Sequence, residues 1–597
     1  MKKGFLKNTV IVAFAVFMCL FIIAGCGQNG DNGNNKIVYV DDERGFDDYQ
    51  FTAASISGVD ALGRIITNSG DRKENKDVGM FYFLWLGAHT GGHNRVFDNT
   101  YLLENAPDEL WAASSSVSPA GAYHFWGEPL YGYYHSADPW VLSRHVELFL
   151  SAGIDYLLFD TTNAVIYQNV VAELLKVLAE YQSQGFDVPT ISFFTNTKPV
   201  DTVKNIYNTF YKEDSANYYP NLWYSPEGKP LIITDLLYFD ETNLEHKKYL
   251  DFFDARYTQW PSDRYQDEYK FPWMSWDYPQ LNHNGVVSVS VAQHTVSKMS
   301  MREANWGRGY DRITGKNLPE QANNGINYQS QWDTVFRYIG QNGEGSVTNT
   351  FVTGWNEWIA IKFTNPDVHF VDCFDKDYSR DLEMMKGGYG DNFYMQTVLN
   401  SKKFRYGQKT YYNLPQKTID IYGGQSEWQS VRAYKDVAGN AMARDYRGYV
   451  SSLHYTDDTN RNDITDTQVI HDSDYVYIRI TTAEAITAYT PGDNGWMNIW
   501  LATQENSSFN YVINREYGKL SKIDAQGNYT AVTDIELYLD GNTLSVAVPI
   551  NLLNLKEVPA FRIRVSDNVD ASDRMNFYIQ GDSAPRGELG YAYGTFV

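Results

Sequence analysis

The chain has 597 residues, a formal charge of −23 and 15% aromatic residues, with 15 Trp and 46 Tyr. Such a length allows several domains with cores of their own, and the acidic balance argues against a nucleic-acid partner, because a phosphate backbone asks for a basic surface. Aromatic faces stack on the C–H faces of sugar rings, so the composition fits a carbohydrate-handling protein, although a Tyr-rich β-protein shares it.

At the N-terminus, Lys2, Lys3 and Lys7 precede an apolar stretch from Val10 to Ile23, followed by Ala24 and Gly25. Residues 1–25 therefore read as a secretory signal. The quartet Ile23-Ala24-Gly25-Cys26 resembles a bacterial lipobox. That resemblance implies cleavage before Cys26, acylation of its thiol and attachment to the membrane at the extracellular face of the bacterial cell envelope. Each buried methylene of an acyl chain contributes about 0.8 kcal/mol to such anchoring. Residues 26–36 are Gly/Asn-rich and read as a flexible tether. With Cys19 in the signal and Cys26 as the anchor, Cys373 alone remains, so no intrachain disulfide forms and stability must come from packed cores.

Residues 37–415 read as an α/β domain. The runs VGMFYFLWL (78–86), DYLLFD (155–160), TISFFTN (190–196), PLIITD (230–235), PWMSWD (272–277), VVSVSVAQ (286–293) and TNTFVTGWNE (348–357) suit strands buried on both faces. Helical periods lie between them. The clearest runs from Val165 to Tyr181, and another spans Pro139 to Leu150 behind a capping Asp138. No nucleotide-binding glycine loop follows any strand, which favours a (β/α)8 TIM-type barrel with one strand unlocated over an open doubly wound sheet. Residues 416–597 switch to short alternating strands with turn signals, among them YVYIRITT (475–482) and FRIRVSD (561–567). They predict a separate antiparallel β-sandwich.

Barrel chemistry sits at the C-terminal ends of the strands. Here those ends carry Asp160, Asn196, Asp235, Asp277, Gln293 with His294, and Asn356 with Glu357. Asp160 or Asp235 taken alone could equally cap the following helix. Glu357 lies between Trp355 and Trp358, whose apolar walls would raise its pKa and suit it to general-acid work. A structural glutamate bonded to backbone or to an arginine is the alternative. Cleaving a glycosidic bond normally takes two carboxyl groups; Asp160 is the first choice for the second, followed by Asp277, Asp235, Glu383 and Glu128. Tyr82, Trp85, His124, Trp126, His135, Trp276 and His294 are the expected substrate-lining residues, with Asn356 orienting a sugar hydroxyl. No catalytic metal or organic cofactor is expected, since HExxH and CxxC are absent and the histidines are scattered. Structural calcium could use the oxygens of residues 457–463 or 375–377, which solvated turns explain equally well.

The tetrapeptide Trp355-Asn356-Glu357-Trp358, with Asp160 ending an earlier strand and Ser379-Arg380-Asp381-Leu382-Glu383 beyond it, resembles the clan around glycoside hydrolase families 71 and 99 and the WbsX-like barrels. The likeness covers about residues 77–410 and implies a (β/α)8 barrel acting on α-linked polysaccharide or mannoside. In the family 99 pattern a second glutamate follows the first by three residues; here that position is Ala360. The C-terminal region resembles family 9-like carbohydrate-binding sandwiches through Trp428, Trp496-Met497-Asn498, the run from Tyr511 to Arg515 and that from Asp573 to Tyr578. Trp496 and Tyr511 could form a sugar platform there or lie in the core. Two functions stand: a surface glycoside hydrolase whose carboxyl pair includes Glu357, and a non-catalytic lipoprotein that captures glycan. The hydrolase requires Glu357 to face an open cleft with a second acid opposite.

Overall fold

The computed structural model describes residues 37–44, 51, 53–87, 94–263, 266–555 and 559–596. The expected signal, the lipid anchor at Cys26 and the tether lie outside them. Residues 39–597 form one compact unit.

Its centre is a parallel sheet of seven strands: β1 (Asp77–Tyr82), β2 (Tyr156–Thr161), β3 (Thr190–Thr195), β4 (Leu231–Ile233), β5 (Asp254–Arg256), β6 (Val286–Val289) and β7 (Asn349–Val352). Their spatial order is β6-β7-β1-β2-β3-β4-β5. Because side chains alternate along a strand, each strand feeds two cores. Phe81, Tyr156, Leu158, Phe194, Ile233, Val286 and Phe351 pack together with Trp260 and Trp273. Met80, Leu157, Phe159, Phe193, Val287 and Val352 join the larger cluster that includes the surrounding helices. Both faces are thus apolar, as the unbroken hydrophobic runs required.

The sheet is curled and TIM-like, but a complete eight-stranded ring is not formed among the described residues. Its edge strands, β5 and β6, are not paired with each other. Between them the chain makes a two-residue parallel pairing, Thr258–Gln259 with Phe271–Pro272. The strand expected at 272–277 is absent, so Asp277 does not end one. Helices α1 (Pro139–Ala152) and α2 (Gln168–Ser183) follow their predicted periods, and Asp138 caps α1 by accepting from the Trp140 N–H at 3.1 Å.

The C-terminal region contributes to three antiparallel sheets among the described residues, one of five strands, one of nine and a two-stranded hairpin, Arg444–Arg447 with His454–Asp457. The larger takes two strands from ahead of the barrel: Ile56–Val59 pairs with Gly590–Tyr593 and with Ile65–Ile66. This exchange ties the two halves together topologically. Buried polar contacts tie them chemically. Glu147 on α1 pairs with Arg586, which also holds Asp582 at 3.2 Å. Arg144 donates to the Asn440 carbonyl at 2.7 Å, and Arg444 pairs with Asp138 at 2.8 Å. Removing one partner from such a buried cluster strands the others without compensation. Arg586→Met is expected to lower unfolding free energy by about 3–5 kcal/mol, read from urea denaturation; an unchanged midpoint would show that Arg586 does not hold the halves together.

Candidate active site

The Trp-Asn-Glu-Trp segment lies just past β7, where the chain leaves the sheet and turns. Gly354 permits the turn because a Cβ there would stand 2.9 Å from Asp381 Oδ1 and 3.2 Å from the Phe81 carbonyl. The Trp355 N–H donates to Phe81 O at 2.9 Å, and residues 382–383 run alongside, with Leu382 N–H to Gly354 O and Glu383 N–H to Trp355 O. Asn356 locks the turn from beneath. Its Oδ1 accepts from the Phe83 N–H at 2.8 Å, while Nδ2 donates to Phe83 O and to Tyr134 Oη, each at 3.2 Å. Its amide is fully used, so it does not orient a sugar hydroxyl.

Neither tryptophan forms the wall expected of it. Trp355 is buried against His145, Phe149 and Tyr394, with ring centroids 5.4, 4.8 and 6.3 Å away. Trp358 stacks on Trp126 at 3.9 Å, and the Trp126 indole N–H donates to the Glu357 carbonyl at 2.9 Å. These rings are pillars of the turn. Glu383 is likewise internal: it accepts from Tyr134 Oη at 2.8 Å and from the Trp358 indole, and lies 2.8 Å from His145 Nε2. Tyr82 completes this closed network through His145 Nδ1 at 2.9 Å. Tyr82, Trp126, Trp355, Trp358 and Glu383 therefore hold the loop up and meet no ligand.

Above these pillars sits a cluster of carboxyls. The Glu357 side chain does not face an open cleft: it is 10% exposed and bonded to Arg380, as expected of the structural alternative, and its backbone N–H donates to Asp381 Oδ1 at 2.9 Å. Arg380 is 1% exposed. It also donates to the Asp372 carbonyl and to His294 Nε2, each at 2.7 Å, with the Asp372 carboxylate 3.9 Å away. Asp160 shares the inward face of Leu158, two residues before it on β2, and accepts from the Thr162 N–H and hydroxyl at 3.0 and 2.7 Å.

Burial raises the Glu357 carboxyl well above the ordinary range. Arg380 pulls it down, while Asp372, Asp381 and Asp160 push it further up. Burial lifts Asp160 to about 6, with Thr162 opposing and Asp372 assisting. Asp381 is lifted to about 6, again mainly by burial. Burial is the main cause, and charge imbalance adds to it: four carboxyls surround one Arg380 and disfavour one another's ionisation. His294 contributes no positive charge, since burial and Arg380 push it down to about 3. Its Nδ1 lies 3.1 Å from the Val296 carbonyl, which leaves Nε2 as the acceptor that positions Arg380.

The remaining expected residues scatter. Trp276 lies over His294 with centroids 5.6 Å apart and keeps partial exposure; Trp85, also partly exposed, stacks on Tyr167 at 6.0 Å. His124 is buried, 2.9 Å from the Ser118 hydroxyl. His135 accepts from the Ala137 N–H and is pushed down to about 4 by burial and Arg447. Asp235 caps the short helix Leu236–Tyr238, Asp277 sits exposed in a bend, and Glu128 pairs with Lys386 at 3.0 Å. In the sandwich, Trp496 and Tyr511 are buried, the first donating to the Thr487 carbonyl at 2.7 Å. The exposed ring of that cluster is Tyr517, 5.4 Å from Trp496.

Among the described residues no group of three or more His, Cys, Asp or Glu is disposed to hold a metal. In the stretches considered for calcium, Asp375 accepts from the backbone of Asp377 and Tyr378, and Asp457 from Thr459. The sequence reading missed Arg380, Asp372 and Asp381. Its available signal was three charges within five residues at 379–383, a segment without strand or helix period, from which only Glu383 was chosen.

No family model matches the chain, and no curated protein matches it. Among solved structures it is similar to a GH99 endo-alpha-mannosidase from Bacteroides thetaiotaomicron, with 14% identity and a TM-score of 0.31, over 55% of this chain and 97% of that one. A glycoside hydrolase-like protein matches at 12% identity and a TM-score of 0.30, over 57% and 96%. A family 9 carbohydrate-binding module from Caldicellulosiruptor kristjanssonii, in complex with glucose, matches at 9% identity and a TM-score of 0.17, over 31% and 84%. Likenesses this distant say nothing about what the present chain's residues do.

Proposed function

We propose that the chain is a glycoside hydrolase, with Glu357 as the proton donor and Asp160 as the carboxylate that attacks the anomeric carbon or activates water. One observation carries this reading: Glu357 and Asp160 belong to one carboxyl cluster at the C-terminal ends of the strands, with more acids than cations. Such a cluster keeps one carboxyl protonated while another ionises, the division of labour that glycoside cleavage needs. Arg380 is a positioning residue that fixes the Glu357 carboxyl and moderates its proton affinity. Partly exposed Trp276 and Trp85 offer ring faces for sugars, and Asp372, with 44% of its side chain exposed, brings a carboxyl to the solvent side. The motif resemblance favours an α-linked polysaccharide or mannoside as substrate. The N-terminal apolar run and Cys26 favour lipid anchoring at the outer face of a bacterial envelope.

A second reading, capture of glycan without cleavage, is favoured by Ala360. That residue lies buried in a short strand, Ile359–Ile361, opposite His124, and supplies no carboxyl. A release assay over α-glucans, α-mannans and host glycans separates the two. Glu357→Gln should cut turnover about 100-fold or more while leaving binding intact; no product from the wild type on any substrate would favour capture.

The pH profile should be a bell. Activity rises as Asp160 loses its proton near pH 6 and falls at higher pH as Glu357 loses its own. Arg380→Met removes the positive charge that lowers the Glu357 pKa, so the alkaline limb should move to higher pH. An unmoved limb would exclude Glu357 as the titrating acid.

A further inference from the structure

The seam between the barrel and the sandwich holds a cavity of about 710 Å³, within the size range of small-molecule sites, which favour domain interfaces. One wall is the loop Met385–Gly390, which follows directly on the segment carrying Arg380 and Asp381. The facing walls come from the hairpin around Tyr455 and from Asp573–Ile579 of the sandwich. Tyr389 lines the cavity and lies 6.3 Å from the Trp126 ring, whose indole supports Glu357. A single aromatic stack thus joins the cavity to the candidate active site.

Its charge differs from that of the rest of the molecule. In a chain of net −23, the lining carries three acids, Glu128, Asp457 and Asp573, and three bases, Lys386, Arg444 and Arg574. Each already has an internal partner. Glu128 pairs with Lys386 at 3.0 Å, Arg444 with Asp138 and Arg574 with Asp391, both at 2.8 Å. Asp457 accepts from the Thr459 N–H and Asp573 from the Met575 N–H. Counted with these partners, the site holds five acids against three bases, an excess that disfavours an anionic ligand, and its carboxylate, guanidinium and ammonium groups keep spare lone pairs and protons for hydroxyl groups. Met385, Tyr389, Met575 and Ile579 add apolar surface. Hydrogen-bonding groups beside apolar faces, with acids in excess, suit an uncharged sugar and repel an acidic one.

We propose that this seam cavity is a second binding site for a neutral oligosaccharide segment, separate from the Glu357 cluster. It rests on the glycan reading above. Its place beside the loop carrying Arg380 lets it hold one stretch of a polysaccharide while another lies at Glu357.

The test is affinity electrophoresis of the full chain carrying Glu357→Gln, which leaves the glycan uncut, in gels containing dextran, soluble α-mannan or carboxymethyl-dextran. Retardation is expected in at least one neutral gel. Thr456→Trp and Ala61→Trp, bulky side chains placed separately on two lining residues, should each weaken it about fivefold or more, roughly 1 kcal/mol, with the melting temperature confirming the fold. The inference is overturned if the parent runs freely in both neutral gels, if only the anionic gel retards it, or if both folded variants are retarded like the parent. Product release by the wild type without seam binding would refute this site alone; seam binding without product from any substrate would refute the hydrolase reading alone.

Discussion

Arg380 lies almost fully buried, with Glu357 on one side, the Asp372 carbonyl and His294 on the other, and the Asp160 and Asp381 carboxyls within its electrostatic reach. Burying several acids together would ordinarily cost several kcal/mol per ion. One guanidinium offsets part of that cost, and retained protons offset more. The arrangement keeps acids where acid–base work can be done without letting them all ionise. Neutral His294 matters here, because a second positive charge beside Arg380 would favour ionisation of the whole cluster.

The cluster stands on an aromatic and polar foundation that carries no reactivity of its own. Trp126 and Trp358 stack face to face, Asn356 spends its amide on backbone and tyrosine partners, and Glu383 is closed into a network with Tyr134 and His145. These residues share the motif with Glu357 but do different work. They fix the turn so that one side chain of the four, Glu357, reaches Arg380. A buried network of this kind is stable only when its members are satisfied.

The sandwich is part of the same construction. Strands from ahead of the barrel complete one of its sheets, and buried pairs such as Glu147–Arg586 join the halves. Their polar contacts leave a roomy seam beside the loop that carries Arg380, while Trp496 and Tyr511 are spent on the sandwich core.

Local pattern determined much of this in advance. Unbroken apolar runs require strands covered on both faces, so a helix-wrapped parallel sheet followed from sequence for six of the seven strands, as did α1, α2 and the all-β character of the C-terminal region. Glu357 and Asp160 stand out in the sequence because a carboxyl ending a buried run demands an explanation. Strand β5 was missed because it is short and carries Asp254 and Arg256, so it lacks the apolar signal, while Pro272–Asp277 has the composition of a strand without becoming one. What surrounds Glu357 was decided by folding alone. Arg380 is 23 residues away in the chain, and whether a tryptophan faces a sugar or another tryptophan depends on which element packs against it. Sequence periodicity reports how each segment divides its surface between water and core; it carries no information on which distant side chain fills that core, and here that partner decided the chemistry of the site.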